Sequence, residues 1–439
     1  MVDRVLRHID EQVLASLGKP SRGYLLFLLA CIIFILLGGI AYLFQYFLGM
    51  GVAGLNVPVS WGVYITNFVF WIGIAHSGTL ISAILYLFRT SWRNAVNRSA
   101  EAMTVFAVLT AGMFPLIHLG RVWVFYWLLP YPNTMHLWPN FKSPLVWDVV
   151  AVTTYFTVSL LFFYVGMIPD LATARDRTSG WRRSMYTMLS LGWTGRYDQW
   201  RHYARVYLAL AALATPLVIS VHSVVSWDFA MSILPGWHTT IFAPYFVAGA
   251  IHSGLAMVIT LLIPLRRILG LERIITMRHF ESMALLMILT GLIVGYSYGS
   301  EAFIAWYSGE IFERQFLHWR AFGAYAPFFW LMVGFNVALP MTFFSKRLRT
   351  NIVWLAVVAV LVNVGMWFER FVIIVTSLSN GFLPSSWGLY VPTIVEFLIT
   401  LMSFGFFLFL FLSFVKLFPA VAMSELKEQV VHKSEELHG

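Results

Sequence analysis

Ten long apolar runs occupy most of this 439-residue chain and leave little else to fold with. Each approaches the length of about 20 residues that an α-helix needs to cross a bilayer core. They cover roughly 24–47, 61–88, 101–119, 145–168, 204–224, 241–264, 280–300, 322–343, 352–375 and 389–416. In lipid, every backbone polar group must find its partner inside the chain, so runs of this length can only be helices. The expected class is an all-α polytopic membrane protein of about ten transmembrane helices with no sizeable soluble domain.

The net charge of +9 could suggest nucleic acid, but its distribution argues otherwise. With the N-terminus cytoplasmic, 24 of the 29 Lys and Arg fall in the tails and inner connections, and only Arg121, Lys142, Arg314, Arg320 and Arg370 fall outside. This is the positive-inside bias, and it predicts both termini in the cytoplasm. No secretory signal is expected, since the first apolar run is too long and lacks a cleavage-like end. Residues 2–17 carry Val5, Leu6, Ile9, Val13, Leu14 and Leu17 at helical spacing, which fits an amphipathic helix on the inner membrane surface, against a leader that packs on the core or is disordered. A lone cysteine, Cys31, rules out internal disulfides and a cysteine-ligated iron–sulfur cluster, and no CxxCH haem motif exists.

Two segments echo each other. Gly73 to Gly78 reads GIAHSG and Gly249 to Gly254 reads GAIHSG; Arg98 to Met103 then resembles Arg278 to Met283. Two matches in order at nearly one offset indicate a parallel repeat. The predicted plan is two four-helix bundles, from spans 2–5 and 6–9, flanked by spans 1 and 10. The corresponding units are residues 1–60 (tail and first span), 61–240 (first bundle), 241–388 (second bundle) and 389–439 (last span and tail).

Ionisable residues inside so apolar a chain are candidates for function. His118, Asp148 and Asp228 all fall near the outer ends of first-bundle spans, with His222 close to Asp228 and Arg121 one turn past His118. A histidine with carboxylates is what proton-coupled chemistry needs, because each can take or orient a proton. The bland alternative is a set of interfacial groups meeting water and headgroups. The intervening loop carries Trp123, Phe125, Tyr126, Trp127, Tyr131, Trp138 and Phe141, more rings than an interfacial belt requires. Such a wall suits a flat membrane-soluble ligand such as a quinone, or a docked partner protein.

His76 and His252 sit at equivalent mid-span places in the repeat, with Glu101 and Glu281 nearer the inner ends. They form a candidate proton path, against the alternative of structural hydrogen bonding. His238 and His252 have a spacing used by haem-binding helices, but Pro244 intervenes and no second pair exists, so haem is not expected. Glu301, Glu310, Glu313, Arg314 and Arg320 read as a solvated or partner-facing outer loop. Glu369 with Arg370, and Glu396, read as buried pairs or as part of a proton route, with pairing favoured.

The segments LIHLGRVWVFYWLLPYPN, LWPNFKSPLVWD, SVHSVVSWDFAMSILPGWHTTIFAPYF and GLIVGYSYGSEAFIAWYSGE resemble the NrfD/polysulfide-reductase membrane-subunit family, and within it the ActC subunits of bacterial alternative complex III. The resemblance covers essentially the whole chain. It implies a quinol-binding subunit of the bacterial cytoplasmic membrane that binds neither haem nor iron–sulfur cluster. Menaquinol or ubiquinol would be its substrate. It further implies an iron–sulfur subunit and multihaem cytochromes c on the periplasmic side, a homologous ActF-like ten-helix subunit and a terminal oxidase as partners. By motif, His118, Asp148 and Asp228 correspond to the quinol-site residues, with Arg121, His222, Trp123 and Tyr126 around them. The family often has Gly-Arg-Pro after the histidine; here Gly120-Arg121-Val122 keeps the Arg and alters the turn. Proton translocation is compatible with the same residues. The other readings are a proton channel or secondary transporter, and a structural membrane anchor.

Overall fold

A computed structural model describes residues 2–129 and 142–438. Tyr131, Trp138 and Phe141 of the aromatic loop lie outside the described residues. Among those described, the structure is helical with no strand. Ten helices are long and apolar enough to cross a membrane: α2 (Arg22–Leu48), α3 (Val63–Leu87), α4 (Asn97–His118), α5 (Pro144–Asp176), α7 (Tyr197–Ala230), α8 (Phe242–Ile268), α9 (Met277–Tyr307), α11 (Ala326–Phe344), α12 (Ile352–Ser379) and α13 (Ile394–Leu417). Among the described residues, four further helices of nine residues or more lie off the spans: α1 (Val2–Ala15), α6 (Trp181–Leu189), α10 (Ile311–Phe322) and α14 (Met423–His438).

Local chemistry sets the helix ends. Ser21 caps α2 through the Tyr24 N–H, and Asn351 caps α12 through the N–H groups of Val353 and Trp354. At α13, Thr393 and Glu396 form a reciprocal capping box. Glu396 also accepts from Gly54 N–H (2.8 Å) and the Tyr390 hydroxyl (2.6 Å), so this buried carboxylate is spent on closing a helix end. Several helices outrun the apolar segments that predict them. α5 and α7 reach residues 176 and 197, beyond the predicted limits of 168 and 204. Hydropathy stops at the first charges, whereas a helix emerging into water continues through them.

α3, α4, α5 and α7 pack around one another, as do α8, α9, α11 and α12. The two repeat helices, α3 and α8, lie against each other at the centre, while α2 pairs with α13 along the flank of the first group. Polar pins cross the interfaces: Asn67 Nδ2 donates to Thr400 Oγ1 (2.8 Å), Trp71 Nε1 to Ser403 Oγ (3.0 Å), and Trp367 Nε1 to Asn67 Oδ1 (2.7 Å). The repeated glycines explain the close central contact. A Cβ on Gly254 would lie 2.2 Å from Ser77 Oγ, and one on Gly78 would lie 2.0 Å from Thr104 Oγ1.

Both termini fold onto the same end of the bundle, here called the terminal end. Asp10 of α1 pairs with Lys427 of α14 (2.6 Å), and the α6 residue Tyr186 donates to the Leu417 carbonyl (2.7 Å). Val13 and Leu17 are buried. The amphipathic leader is thus a cap packed on protein, the second of its two predicted forms. The outer charged loop departs from expectation as well. α10 folds across the opposite end, and Arg320 forms a buried bidentate pair with Glu301 of α9 rather than meeting solvent.

Replacing Gly78 or Gly254 by Val should force α3 away from its neighbours. Overpacking of this kind typically costs about 1–3 kcal/mol, so thermal unfolding of the detergent-purified protein should shift down in each variant. Gly112, whose Cβ would meet nothing within 4 Å, should tolerate the same change.

Candidate functional site

Three groups of buried ionisable side chains lie at different depths along the bundle. The first is at the opposite end. Asp148 falls in the second turn of α5, which opens with Pro144 at its first position, a place where proline costs no hydrogen bond. Asp228 falls in the last turn of α7. α5 and α7 pack side by side and bring the two carboxyls close to each other. One oxygen of each is buried with no partner, and so is Nδ1 of His118, at the C-terminus of the adjoining α4. Orphaned buried polar atoms are rare and signal a missing ligand or water. Here the orphans suit a molecule that brings hydroxyl groups.

Past His118 the chain turns at Gly120, whose φ of +67° favours glycine and whose Cβ would strike Met50. The turn delivers Arg121 to the surface and leads into a short 3₁₀ stretch, Val122–Leu128. Trp123 and Tyr126 are about half exposed, Trp123 setting its edge on Tyr46. The described part of the aromatic loop therefore forms an outer surface of this chain.

The second group lies between the two bundles. His222 is six residues before Asp228, which is about 9 Å along a helix and well round its face, so the two point apart. Its ring lies 4.5 Å from that of His76. His76 Nδ1 is 2.6 Å from the Ile72 carbonyl, while its Nε2 and both His222 nitrogens have no partner. From the second bundle, Arg370 stacks over Phe246 (4.4 Å) and pairs with Glu369 (2.9 Å). Glu369 also binds Tyr298, which accepts from Asn336 Nδ2 (2.9 Å). Of the repeat's first glycines, Gly249 opens space for Arg370, which a Cβ there would approach to 3.0 Å, whereas a Cβ at Gly73 would meet His222 at an ordinary 3.8 Å. A π turn begins at Val372, directly after this pair, and another at Gly334 holds Asn336. Such turns recur at functional positions.

The third group, near the terminal end, centres on Glu101. This carboxylate pairs with Arg98 (2.8 Å) and accepts from the Tyr207 hydroxyl (3.0 Å). The repeat mates have diverged: Glu281 forms a partly exposed pair with Arg349 (2.9 Å), and His252 Nδ1 contacts Thr290 Oγ1 (2.8 Å) instead of a backbone carbonyl. The structure thus joins His76 to His222, puts Glu101 in a buried network, and leaves Glu281 outside any such network. Asp170, Tyr207, Glu425, Tyr298 and Asn336 are participants that sequence reasoning passed over. The signal for Asp170 was available, as a carboxylate four residues past Gly166 on a helix that hydropathy ended too early. Among the described residues no group of three His, Cys, Asp or Glu is arranged to hold a metal ion.

Residues 51–380 match the family model for polysulphide reductase, NrfD, and the chain belongs to that family of polytopic membrane subunits. Among curated relatives, it is 26% identical over 427 residues to a putative dimethyl sulfoxide reductase membrane subunit of Halobacterium salinarum, covering 88% of this chain and 89% of that one. It is 20% identical to an Hdr-like menaquinol oxidoreductase integral membrane subunit of Archaeoglobus fulgidus, over 77% and 75% of the two chains. A selenate reductase subunit of Mesobacillus selenatarsenatis matches at 23% over about half of each.

Glu313, in the cap helix α10, accepts from the Gly236 N–H (3.1 Å) and is half-buried. Burial raises its carboxyl above the ordinary range, with the Gly236 hydrogen bond pulling the other way. A raised folded value means the contribution of Glu313 is complete while it is protonated and falls as pH rises through that value. Glu313→Gln should therefore match wild type in acid and melt higher at neutral pH, in unfolding scans taken from about pH 4 to 8.

Proposed function

We propose that this chain is the quinol-binding membrane subunit of a respiratory oxidoreductase complex, and that quinol is oxidised at the Asp148–Asp228–His118 group. The observation that carries this reading is the close pair of carboxyls, each with an orphaned oxygen, at the same end of the bundle as an orphaned His118 nitrogen, in an NrfD-family chain. Quinol gives up two protons and two electrons. The Asp148–Asp228 pair shares one proton and has room for another, so it takes one hydroxyl proton. His118 Nδ1 takes the second. Arg121 stabilises negative charge that develops on the quinol oxygen as it loses its proton. Trp123 and Tyr126, exposed on this chain, meet the quinol tail or the neighbouring subunit.

The electrons leave for an iron–sulfur subunit docked over the opposite end, which on this reading faces the periplasm. Both termini and the 24 cations of the inner segments then face the cytoplasm of a bacterial cell. The menaquinol in the name of the Archaeoglobus relative favours a quinol of that class. The motif resemblance to ActC favours a complex of the alternative complex III kind. Multihaem cytochromes c, a second ten-helix subunit and a terminal oxidase would then be its neighbours.

A second reading, proton translocation coupled to this chemistry, draws on the middle group. His76 and His222 of the first bundle meet Arg370, Glu369 and Tyr298 of the second, which gives protons a route between the bundles. His252 and Glu281 contribute less on this geometry than their repeat mates do.

Asp148→Asn and His118→Ala should each lower quinol oxidation at least a hundredfold, within the range of lost acid–base catalysis, while the complex still assembles. Near-normal turnover in both variants would rule out this site. Reconstitution of the chain alone separates the transporter alternative, since ion flux without redox partners would favour transport.

A further inference from the structure

The terminal-end network contains more acid than base. Arg98 is wholly buried; its Nη1 pairs with Glu101, and its Nη2 donates to the Gly166 carbonyl (2.6 Å) and lies 3.3 Å from Asp170 Oδ2. The Cβ that Gly166 lacks would fall 2.5 Å from Arg98, so the glycine makes the cavity that the guanidinium fills. A third carboxylate comes from the far end of the chain. Glu425 of α14 pairs with Arg93 and accepts from Asn97 Nδ2 (2.9 Å) and the Tyr207 hydroxyl (3.2 Å). Asp170 in turn accepts from the Ser424 N–H (2.9 Å), which ties α14 to α5. Tyr207 bridges Glu101 and Glu425.

Five charged side chains are therefore shut in together, all less than a tenth exposed: Arg93 and Arg98 against Glu101, Asp170 and Glu425. Around them stand Tyr203 and Tyr207 from α7 and Tyr86 from α3, which stacks under Arg93 (4.6 Å). Further out, Arg89 and Glu428 near Tyr86 are of opposite sign, and Lys427 and Arg177 share Asp10 in partly exposed pairs whose charges water screens. An uncompensated charge in such a place is neutralised rather than kept.

The network also has a way out. A cleft of about 470 Å³ opens at the terminal end, lined by Ser190, Trp193, Asp198, His202 and Tyr203. Tyr203 stands between this cleft and the network. Its ring stacks on that of Tyr207 (5.5 Å), and its hydroxyl is buried with no partner. Arg98 Nε is likewise buried and unpartnered. Both orphans are the kind of group that an internal water satisfies.

We propose that Glu101, Asp170 and Glu425 form a binding site for one proton, assembled by the carboxy-terminal helix and exchanging with the terminal-end water through Tyr203. The site stands on charge count and geometry, apart from the quinol reading. If that reading holds, the proton bound here is on the side away from the quinol group, where a proton taken up from the cytoplasm would first be held.

Infrared spectroscopy of the intact complex in membranes tests this, with H⁺ and D⁺ as the probe. Wild type minus Glu425→Gln, at neutral pH, should show one protonated-carboxyl C=O band that the variant has lost, because two acids then balance two bases. Glu101→Gln should lose the same band, and it leaves Arg93 paired with Glu425 and Arg98 with Asp170, so it should fold. Asp148→Asn removes the separate carboxyl pair and should leave this band in place. Tyr203→Phe should slow its deuterium shift at least tenfold. Absence of the band from both difference spectra overturns the site, and unchanged exchange in Tyr203→Phe overturns the route. Quinol oxidation in the Glu425→Gln complex, measured alongside, reports on the quinol reading independently.

Discussion

Ser77 of α3 lies in space that any side chain at Gly254 of α8 would fill, and this close approach of two helices sets where everything else can go. Lipid tails are as apolar as leucine, so helices in a membrane gain nothing from hiding greasy surface from one another. They associate through tight contact and polar pins. Small residues at the α3–α8 crossing supply the contact, while Asn67, Trp71 and Trp367 supply the pins to α13 and α12. The two most central helices are also those that carry the repeated histidines, so close packing and placement of ionisable groups follow from one short motif.

That motif serves the two halves in parallel and then differently. Its first glycine lies beside a buried ionisable side chain from the fourth helix of its own bundle, His222 at Gly73 and Arg370 at Gly249. Beyond this the halves part. The first bundle holds a carboxyl pair at one end and a five-charge network at the other, with the chain terminus closing the latter. The second holds the Glu369–Arg370–Tyr298 group at mid-depth and an ion pair, Glu301–Arg320, beneath its cap helix. Buried charge in a membrane protein is costly unless paired. Most groups accordingly meet an opposite charge, another carboxyl or a hydroxyl, and the atoms left without a partner include His118 Nδ1, one oxygen of each aspartate, His76 Nε2 and both His222 nitrogens.

Much of this was legible without coordinates. Run length and hydropathy dictated ten spanning helices, because the backbone has no other partner in lipid. The repeat, the depth of His118, Asp148 and Asp228, and the buried character of Glu369 and Arg370 could all be read along the chain. Charge density alone places Glu301 and Arg320 in a solvated or partner-facing loop, because it does not say whether two charges face each other. The limits of α5 and α7 were set too short because the helix outlasts its apolar stretch, and Asp170 was lost with the truncated end.

The sequence by itself determined the class of structure, the number of crossings and the residues worth watching, since these rest on the local balance of apolar length against charge. Only the tertiary structure decided which of those residues meet. Asp148 and Asp228 are 80 positions apart, His76 and His222 are 146 apart, and Glu425 lies more than 300 from Glu101. No periodicity carries such pairings. They follow from which helix faces pack together, and in a membrane that is decided by where small residues let two helices touch.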